Sequence, residues 1–298
     1  MSFDLKTYLA TKRAMVDEAL QGIFPPCESP AASLVESMTY SLFAGGKRLR
    51  PILCVAGAEA VGGQGRSVLP VACALELIHT YSLIHDDLPV MDNDDMRRGK
   101  PTNHKVFGEA VALLAGDGLL TEAFSLMSAP NLAQGLEPMA LLRATHLVAA
   151  AAGYRGMVGG QVVDIQSEGK KVVPSILEFI HTHKTGAMIA ASVSAGAILG
   201  GGSDGEVEAI TRYGRNIGLA FQVADDILDV EGDSEKLGKG VGGDARKKKI
   251  TYPLIVGLAA SKGIQKELVK QAIEDLRDLD EKAEPLRAIA VYMIERKK

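Results

Sequence analysis

Acidic and basic residues are concentrated in one short stretch, residues 79–99, HTYSLIHDDLPVMDNDDMRRG. Its charged residues are Asp86, Asp87, Asp92, Asp94, Asp95, Arg97 and Arg98. Carboxylates and waters are the ligands that Mg2+ prefers, usually together with a substrate phosphate. Arginine presents forked donors that match phosphate oxygens. Metal ligands beside phosphate-binding cations therefore predict a site for a metal-bridged phosphate ester or diphosphate.

A second acidic cluster lies far downstream, at residues 221–229, FQVADDILD. Its polar residues share one helical face, because they recur at spacings of three, four and seven: Gln222, Asp225, Asp226 and Asp229. Like charges at this spacing destabilise a helix, and a cation between them offsets that cost. A single acidic pair would be explained more simply as a solvated helix end. Two acidic helices favour a shared metal site between facing helices.

The first cluster follows an apolar helical run, LPVACALELIHTYSLIH. On an α-helix His79 and Asp86 lie on nearly one stripe, with Ser82 between them. Pro89 cannot continue the helical hydrogen bonding. We therefore predict that a turn that folds back presents Asp92.

Helical periodicity continues through most of the chain, and neither strand-like alternation nor a repeat is found. Helices are predicted at residues 4–22, 31–44, 52–61 and 137–160, and a helix or a pair of helices at 175–200. The pattern predicts an all-α protein in which residues 1–298 form a single domain, a helical bundle with its site in the core.

Composition excludes several classes of protein. The net charge of −4, the absence of tryptophan and an aromatic content of 5% predict no nucleic-acid partner. Cys27, Cys54 and Cys73 have no metal-like spacing, and their odd number fits a reducing, cytoplasmic location. The longest weakly polar run, AMIAASVSAGAILGGG, is too short for a membrane span, and its small residues predict close helix packing instead.

These motifs carry a family resemblance. DDLPVMD and DDILD resemble the two aspartate-rich motifs of the trans-isoprenyl diphosphate synthases, and YSLIHDDLPVMDNDDMRRGKPTNH is similar to the bacterial farnesyl diphosphate synthase branch. GGKRLRP, HKTG and LGKGVGGDARKKKITYP extend the resemblance, in order, over most of the chain. It implies an isoprenoid-synthase helical bundle with a central active-site cavity. It also implies condensation of isopentenyl diphosphate with dimethylallyl and geranyl diphosphates, with Mg2+ or Mn2+ as cofactor.

The resemblance implies a role for each matching residue. The metal ligands would be Asp86, Asp87, Asp92, Asp225, Asp226 and Asp229, of which Asp86, Asp92 and Asp225 act with Lys184 in catalysis. Isopentenyl diphosphate would bind to Gly46, Lys47, Arg50, His79 and Arg98. The allylic diphosphate would bind to Arg97, Lys184 and Thr185, with Gln222, Lys239 and Lys249 as further substrate contacts. Gln161 and Asp164 would line the metal cavity in a secondary role.

Product length is predicted from Tyr81, with Ser82 beside it. In the resembling family the residue five before the first aspartate often closes the floor of the cavity, and a bulky Tyr81 predicts the farnesyl product. On an ideal helix, however, Tyr81 lies about 140° round from Asp86. It can act as the floor only if the cavity curves past that flank or the ring swings inward. Otherwise Tyr81 packs between helices and another residue sets the length.

Several alternatives remain at this point. The chain could be a geranylgeranyl diphosphate synthase or a non-catalytic subunit of a heteromeric synthase, although no core aspartate is missing. A terpene cyclase would carry a different second motif and would need no GGKRLRP site. A head-to-head synthase would lack the isopentenyl-binding residues. A homodimer is implied by the resemblance alone.

Overall fold

The computed structural model describes residues 3–25, 28–170, 173–231 and 250–295. Almost all regular structure in this part of the chain is helical, as predicted. The α-helices are α1 (Leu5–Gln21), α2 (Ala32–Leu42), α3 (Leu49–Ala60), α4 (Leu69–Asp86), α5 (Asn103–Phe107), α6 (Glu109–Met127), α7 (Pro138–Ala152), α8 (Met157–Ser167), α9 (Pro174–Ile180), α10 (Ala187–Leu199), α11 (Asp204–Glu231), α12 (Tyr252–Val256), α13 (Leu258–Asp275) and α14 (Glu284–Glu295). A π-helix at His181–Gly186 joins α9 to α10, and short 3-10 helices lie at Pro130–Gln134 and Glu281–Ala283.

Helix α10 forms the centre of the bundle. Every residue from Met188 to Leu199 is buried, and α10 contacts α3, α7 and α11. Its small residues allow a very close approach, since a Cβ at Gly196 would lie 1.9 Å from the Cys54 carbonyl oxygen of α3. The predicted close helix packing of this run is confirmed. Helix α10 also contacts α4, so both acidic clusters are on helices that share one central neighbour.

A split helix and a short ribbon differ from the sequence prediction. The single helix predicted at 137–160 is wrong, because α7 ends before Gly153 and α8 begins after Gly156. A Cβ at Gly156 would lie 2.1 Å from the Ala151 carbonyl oxygen, so only glycine allows this tight connection. A two-stranded ribbon, β1 (Met96–Arg97) and β2 (Lys100–Pro101), was also not predicted.

One helical stretch of the described chain, Glu109–Leu132, is long and apolar enough to cross a membrane by length and composition. A third of its most apolar window, 33%, is buried inside the protein, and α6 packs against α4. The absence of a membrane-spanning segment stays a prediction.

Candidate active site

The turn after α4 brings the aspartates of the first cluster back towards the helix end. Helix α4 ends at Asp86, and the Asp92 N–H donates to the Asp86 carbonyl oxygen at 2.8 Å. Asn93 has a φ of 51° and its N–H donates to the Leu88 carbonyl oxygen at 3.1 Å. Asparagine tolerates this left-handed conformation better than most residues. The predicted fold-back turn is confirmed.

The second aspartate of each cluster is buried against a basic side chain. Asp87, 3% exposed, accepts hydrogen bonds from Arg97 Nη2 at 2.6 Å and from Arg97 Nε at 2.8 Å. Asp226, 6% exposed, lies 3.0 Å from His181 Nε2 and accepts from the Tyr252 N–H at 2.8 Å. The first aspartates, Asp86 and Asp225, are only partly buried. This geometry separates two kinds of carboxylate within each motif.

A cavity of about 510 Å3, which we call the aspartate cavity, lies beside α4. Its polar lining includes Arg50, His79, Ser82, Asp86, Gln161, Lys184 and Thr185. Its apolar lining includes Tyr81, Leu88, Met91, Leu113, Met157, Val162 and Ile165. The lining therefore combines polar groups suited to an anion and a cation with apolar side chains suited to a hydrocarbon chain.

A second cavity of about 700 Å3, the arginine cavity, lies at the loop between α2 and α3. It is lined by Arg13, Gly46, Lys47, Arg48, Arg50, Glu76, His79, Arg98 and Phe221, among others. Arg98 and Gly99 form the turn of the β1–β2 ribbon with φ of 53° and 76°, and Arg98 Nη1 donates to the Gly45 carbonyl oxygen. The concentration of guanidinium groups suits a diphosphate.

Arg50 and His79 line both cavities. Burial lowers the pKa of Arg50, and the negative charges of Glu76 and Asp225 oppose that shift. Burial and the neighbouring charges of Arg50 and Arg98 hold the pKa of His79 well below its usual value, so its imidazole is neutral. The Nε atom of Arg50 is buried and has no hydrogen-bond partner within the described residues. Such a buried orphan donor is expected where a ligand completes the site.

The π-helix positions Lys184 in the aspartate cavity. Lys184 Nζ donates to Asp164 Oδ2 of α8 at 2.6 Å. Gly160 of α8 allows the contact, because a Cβ there would lie 2.3 Å from the Lys184 backbone nitrogen. Segments of π-helix are frequent at functional sites. Gln161, also on α8, donates from Nε2 to Asp86 Oδ1 at 3.1 Å.

The donor set fits Mg2+ shared with a substrate. No group of three or more His, Cys, Asp or Glu side chains in the described ranges could hold a metal ion by itself. The oxygen donors near the cavity are instead dispersed. Asp86 lies on one side with the buried Oε1 of Gln161, which has no hydrogen-bond partner among the described residues, and Asp225 lies on the side of Arg50. Mg2+ commonly keeps waters and binds one or two carboxylates together with substrate phosphates.

The two cavities are lined by many of the sequence-predicted residues: Gly46, Lys47, Arg50, His79, Tyr81, Ser82, Asp86, Arg98, Gln161, Lys184 and Thr185. The other predicted residues that the structure describes do not line either cavity: Asp87, Asp92, Arg97, Asp164, Gln222, Asp225, Asp226 and Asp229. Asp225 is partly buried on α11, as are Gln222 and Asp229. Lys239 and Lys249 lie outside the described residues. The individual roles stay predictions, including metal ligation by Asp87 and Asp226.

The motifs did not single out several residues that line the cavities. Glu76 is the clearest case, because it is 2% exposed in the apolar run of α4, and a lone acid in such a run is a usable signal. His85 and Leu113 also line the aspartate cavity, but they lie on different helices and are brought together only by the fold.

Comparison with known proteins gives the family. Residues 31–290 match the family model described as polyprenyl synthetase. The chain is 51% identical to the heterodimeric geranylgeranyl pyrophosphate synthase large subunit 1 of Arabidopsis thaliana, over 98% of this chain and 79% of the relative. It is 49% identical to the farnesyl diphosphate synthase of Geobacillus stearothermophilus, over 93% and 92%.

A solved structure, an FPP/GFPP synthase from Zymomonas mobilis, superposes with a TM-score of 0.87 at 38% identity, over 97% of this chain and 98% of that one. The geranylgeranyl pyrophosphate synthetase of Pyrococcus horikoshii gives a TM-score of 0.88 at 32% identity, over 98% of both chains. The chain therefore belongs to the polyprenyl synthetase family. Its activity is that of a trans-prenyltransferase.

Proposed function

We propose that this chain condenses isopentenyl diphosphate with dimethylallyl and then geranyl diphosphate, and releases farnesyl diphosphate. The observation that carries the proposal is the common wall of the two cavities, formed by Arg50 and His79. An allylic diphosphate in the aspartate cavity and isopentenyl diphosphate in the arginine cavity would meet at this wall. Holding two reactants in a fixed orientation supplies a large part of the rate enhancement.

In the aspartate cavity the carbon–oxygen bond of the allylic substrate breaks, which leaves an allylic cation and inorganic diphosphate. Asp86, Asp92 and Asp225 would hold Mg2+ or Mn2+, which would supply positive charge to neutralise the departing group. Lys184 and Thr185 also line the aspartate cavity, as further donors. Arg97, held by Asp87, is a further cation proposed for the allylic diphosphate, together with Lys239, which lies outside the described residues.

In the arginine cavity the diphosphate of isopentenyl diphosphate would be bound by Lys47, Arg50 and Arg98. The double bond then attacks the allylic cation, and a new carbon–carbon bond forms. The proton lost afterwards can pass to the released diphosphate, so no protein base is required. Leu88 and Met157 belong to the apolar wall that keeps water from quenching the cation.

The proposal is tested by incubating the protein with dimethylallyl diphosphate, labelled isopentenyl diphosphate and Mg2+, and resolving the products by chain length. We expect a product of fifteen carbons. A twenty-carbon product would make the chain a geranylgeranyl diphosphate synthase, as the names of several relatives favour. No condensation without a second protein would support a non-catalytic subunit of a heteromeric synthase.

The farnesyl assignment is supported by the position of Tyr81. The tyrosine is 7% exposed and lines the aspartate cavity next to Ser82, so the cavity does extend past that flank of α4. Its ring stands edge-on to the His85 ring, with centroids 5.6 Å apart. A stiff ring fixed in this way can limit the growing chain.

Tyr81→Ala should shift the product towards geranylgeranyl diphosphate and leave the first condensation active, because removing the ring lengthens the cavity. Products are resolved by chain length after single and extended incubations. Tyr40→Ala is a matched control, since Tyr40 lies outside the aspartate cavity and its hydroxyl donates to the Pro101 carbonyl oxygen at 2.8 Å. An unchanged farnesyl product from an active Tyr81→Ala protein would contradict the role of Tyr81.

Arg50→Ala should raise KM for isopentenyl diphosphate by roughly ten- to a hundredfold, since a charge-assisted hydrogen bond contributes about 1.5–3 kcal/mol. KM for the allylic substrate should rise less, because several other donors line the aspartate cavity. Steady-state kinetics with each substrate varied in turn measures both constants. Arg66→Ala, at an exposed position outside both cavities, is the control. Equal increases in the two constants would show that Arg50 does not distinguish the two substrates.

A homodimer and a cytoplasmic location are further parts of the proposal. Exposed apolar side chains on α6 and α7, such as Leu114 and Leu142, are consistent with a covered face. Light scattering should give the mass of two chains, and cell fractionation tests the location.

A further inference from the structure

A buried ion pair lies at the back of the arginine cavity. Arg48 Nη1 donates to Glu76 Oε1 at 2.8 Å, and the two side chains are 3% and 2% exposed. Removing two charges from water is costly, and a buried pair is often no more stabilising than apolar residues of similar volume. The pair is therefore better explained by what it organises than by stability.

The Arg48 side chain connects the loop that precedes α3 to helices α1, α2 and α4 by hydrogen bonds. Its Nε donates to Asp17 Oδ1 of α1 and its Nη2 to the Leu42 carbonyl oxygen at the end of α2, both at 2.8 Å. Glu76 belongs to α4, one helical turn before His79. The loop that contains Lys47 is thus held from the inside of the protein.

The backbone at Arg48 is itself unusual. Arg48 has φ 53° and ψ 36°, in the left-handed region that costs energy for a residue with a side chain. Lys47 and Arg50, on either side, line the arginine cavity. The reversal at Arg48 lets Lys47 and Arg50 line the cavity, while the Arg48 side chain turns into the cavity wall and pairs with Glu76 at 3% exposure.

Glu76 is also the counter-charge of the arginine cavity. Of the described residues that line this cavity, it is the one carboxylate, against the cations Arg13, Lys47, Arg48, Arg50 and Arg98. Burial lowers the pKa of both Arg50 and Arg98, and the charge of Glu76 is the first influence that opposes this shift. Without an anion bound, Glu76 is positioned to keep these guanidinium groups together.

We propose that Arg48 and Glu76 are positioning residues that pre-form the diphosphate subsite of the arginine cavity without contacting the diphosphate. The inference rests on the proposed function, which assigns isopentenyl diphosphate to this cavity. It makes a prediction of definite sign. A carboxylate repels an anion, so Glu76 acting only through its charge would weaken diphosphate binding. Positioning predicts the opposite, that loss of Glu76 weakens binding.

The test is the double variant Arg48→Met/Glu76→Leu, which replaces the ion pair by apolar residues and leaves no charge unpaired between them. We expect a folded variant with a lower melting temperature, because Arg48→Met also removes the donors to Asp17 and to the Leu42 carbonyl oxygen. KM for isopentenyl diphosphate should rise about tenfold or more because its ligands are misplaced, while KM for the allylic diphosphate and kcat at saturation change less than about twofold. A merely structural pair would lower the melting temperature and leave both KM values at those of the wild type.

Lys12→Met/Glu59→Gln is the matched control, since Lys12 and Glu59 also join α1 to α3 by an ion pair, but outside the arginine cavity. Glu76→Gln is measured as well, and it is decisive if the double variant does not fold. It retains an acceptor for Arg48 but removes the charge, and should also raise KM for isopentenyl diphosphate. An unchanged or lowered KM in either folded variant would overturn the proposal.

The outcome can be separated from that of the proposed function. If the wild-type protein forms no condensation product, the proposed function fails, and calorimetric binding of inorganic diphosphate to wild type and variants replaces KM. Weaker binding to the variants would then still support the positioning role, and equal or tighter binding would contradict it.

Discussion

Asp86→Ala should lower kcat by about a thousandfold or more, the largest effect that we expect from one side chain. Asp86 lies at the end of α4, lines the aspartate cavity and is oriented by the hydrogen bond from Gln161. Loss of its carboxylate would remove the proposed metal ligand where negative charge would develop on the departing diphosphate, and such electrostatic contributions are worth several kcal/mol. Single-turnover measurement of allylic ionisation detects the loss directly.

Chelation tests the same step without mutation. Excess EDTA should abolish wild-type activity, and Mg2+ or Mn2+ should restore it, because the dispersed carboxylates need a cation to hold a diphosphate. Asp95→Ala is the matched control from the same acidic stretch. The Asp95 side chain is 69% exposed and pairs with Lys105 at 2.7 Å, and exposed ion pairs contribute little. Full turnover in EDTA, or a near-normal single-turnover rate in Asp86→Ala, would refute the assignment.

The local placement of the two aspartate clusters could be predicted from the sequence because it depends on residue type and spacing. Pro89 cannot continue the helical hydrogen bonding, so the sequence already indicates that a turn and not the next helical turn carries Asp92. Helical spacing likewise puts Asp225 and Asp229 on one face of α11. Local rules of this kind require no knowledge of which helices are neighbours.

The different burial and partners of adjacent aspartates could not be predicted in the same way. Asp86 and Asp87 are chemically identical and adjacent, yet only Asp87 is buried against Arg97. For Asp226 the partner is His181, 45 positions away in the chain. Such pairs depend on how helices pack, and a helical period contains no information about that.

The π-helix at His181–Gly186 is a second feature without a sequence signal. A π-helix has about one more residue per turn than an α-helix, which changes the side chains that share a face. The spacing rules of an α-helix therefore do not predict the direction of Lys184. Gly160, Gly186 and Gly218 allow the neighbouring helices to approach this wider segment closely. A Cβ at Gly218 of α11 would lie 2.7 Å from Gly186 Cα, and Gly160 meets the backbone of Lys184 from the other side.

Gly160→Ala should therefore lower kcat by about a hundredfold even though Gly160 carries no chemistry. The added Cβ would lie 2.3 Å from the Lys184 nitrogen and 2.7 Å from its Cα, whereas ordinary contact begins at 3.4 Å. Both atoms belong to the backbone, so α8 and the π-helix must separate by about 1 Å, and a displacement of about 1 Å can cost a hundredfold in rate. Gly263→Ala is the matched control, because a Cβ added at Gly263 of helix α13 would meet nothing within 4 Å, and alanine there should preserve activity and slightly raise stability.

A double-mutant cycle with Lys184→Met then identifies the route of the effect. Gly160 acts through Lys184 if the double variant is no slower than Lys184→Met alone, since both changes would remove the same interaction. Circular dichroism and melting temperatures exclude unfolding as the cause. If the loss in the double variant equals the product of the losses in the two single variants, Gly160 acts elsewhere, for instance through Gln161. Wild-type kcat in a folded Gly160→Ala protein would show that the spacing between α8 and the π-helix does not position Lys184 for catalysis.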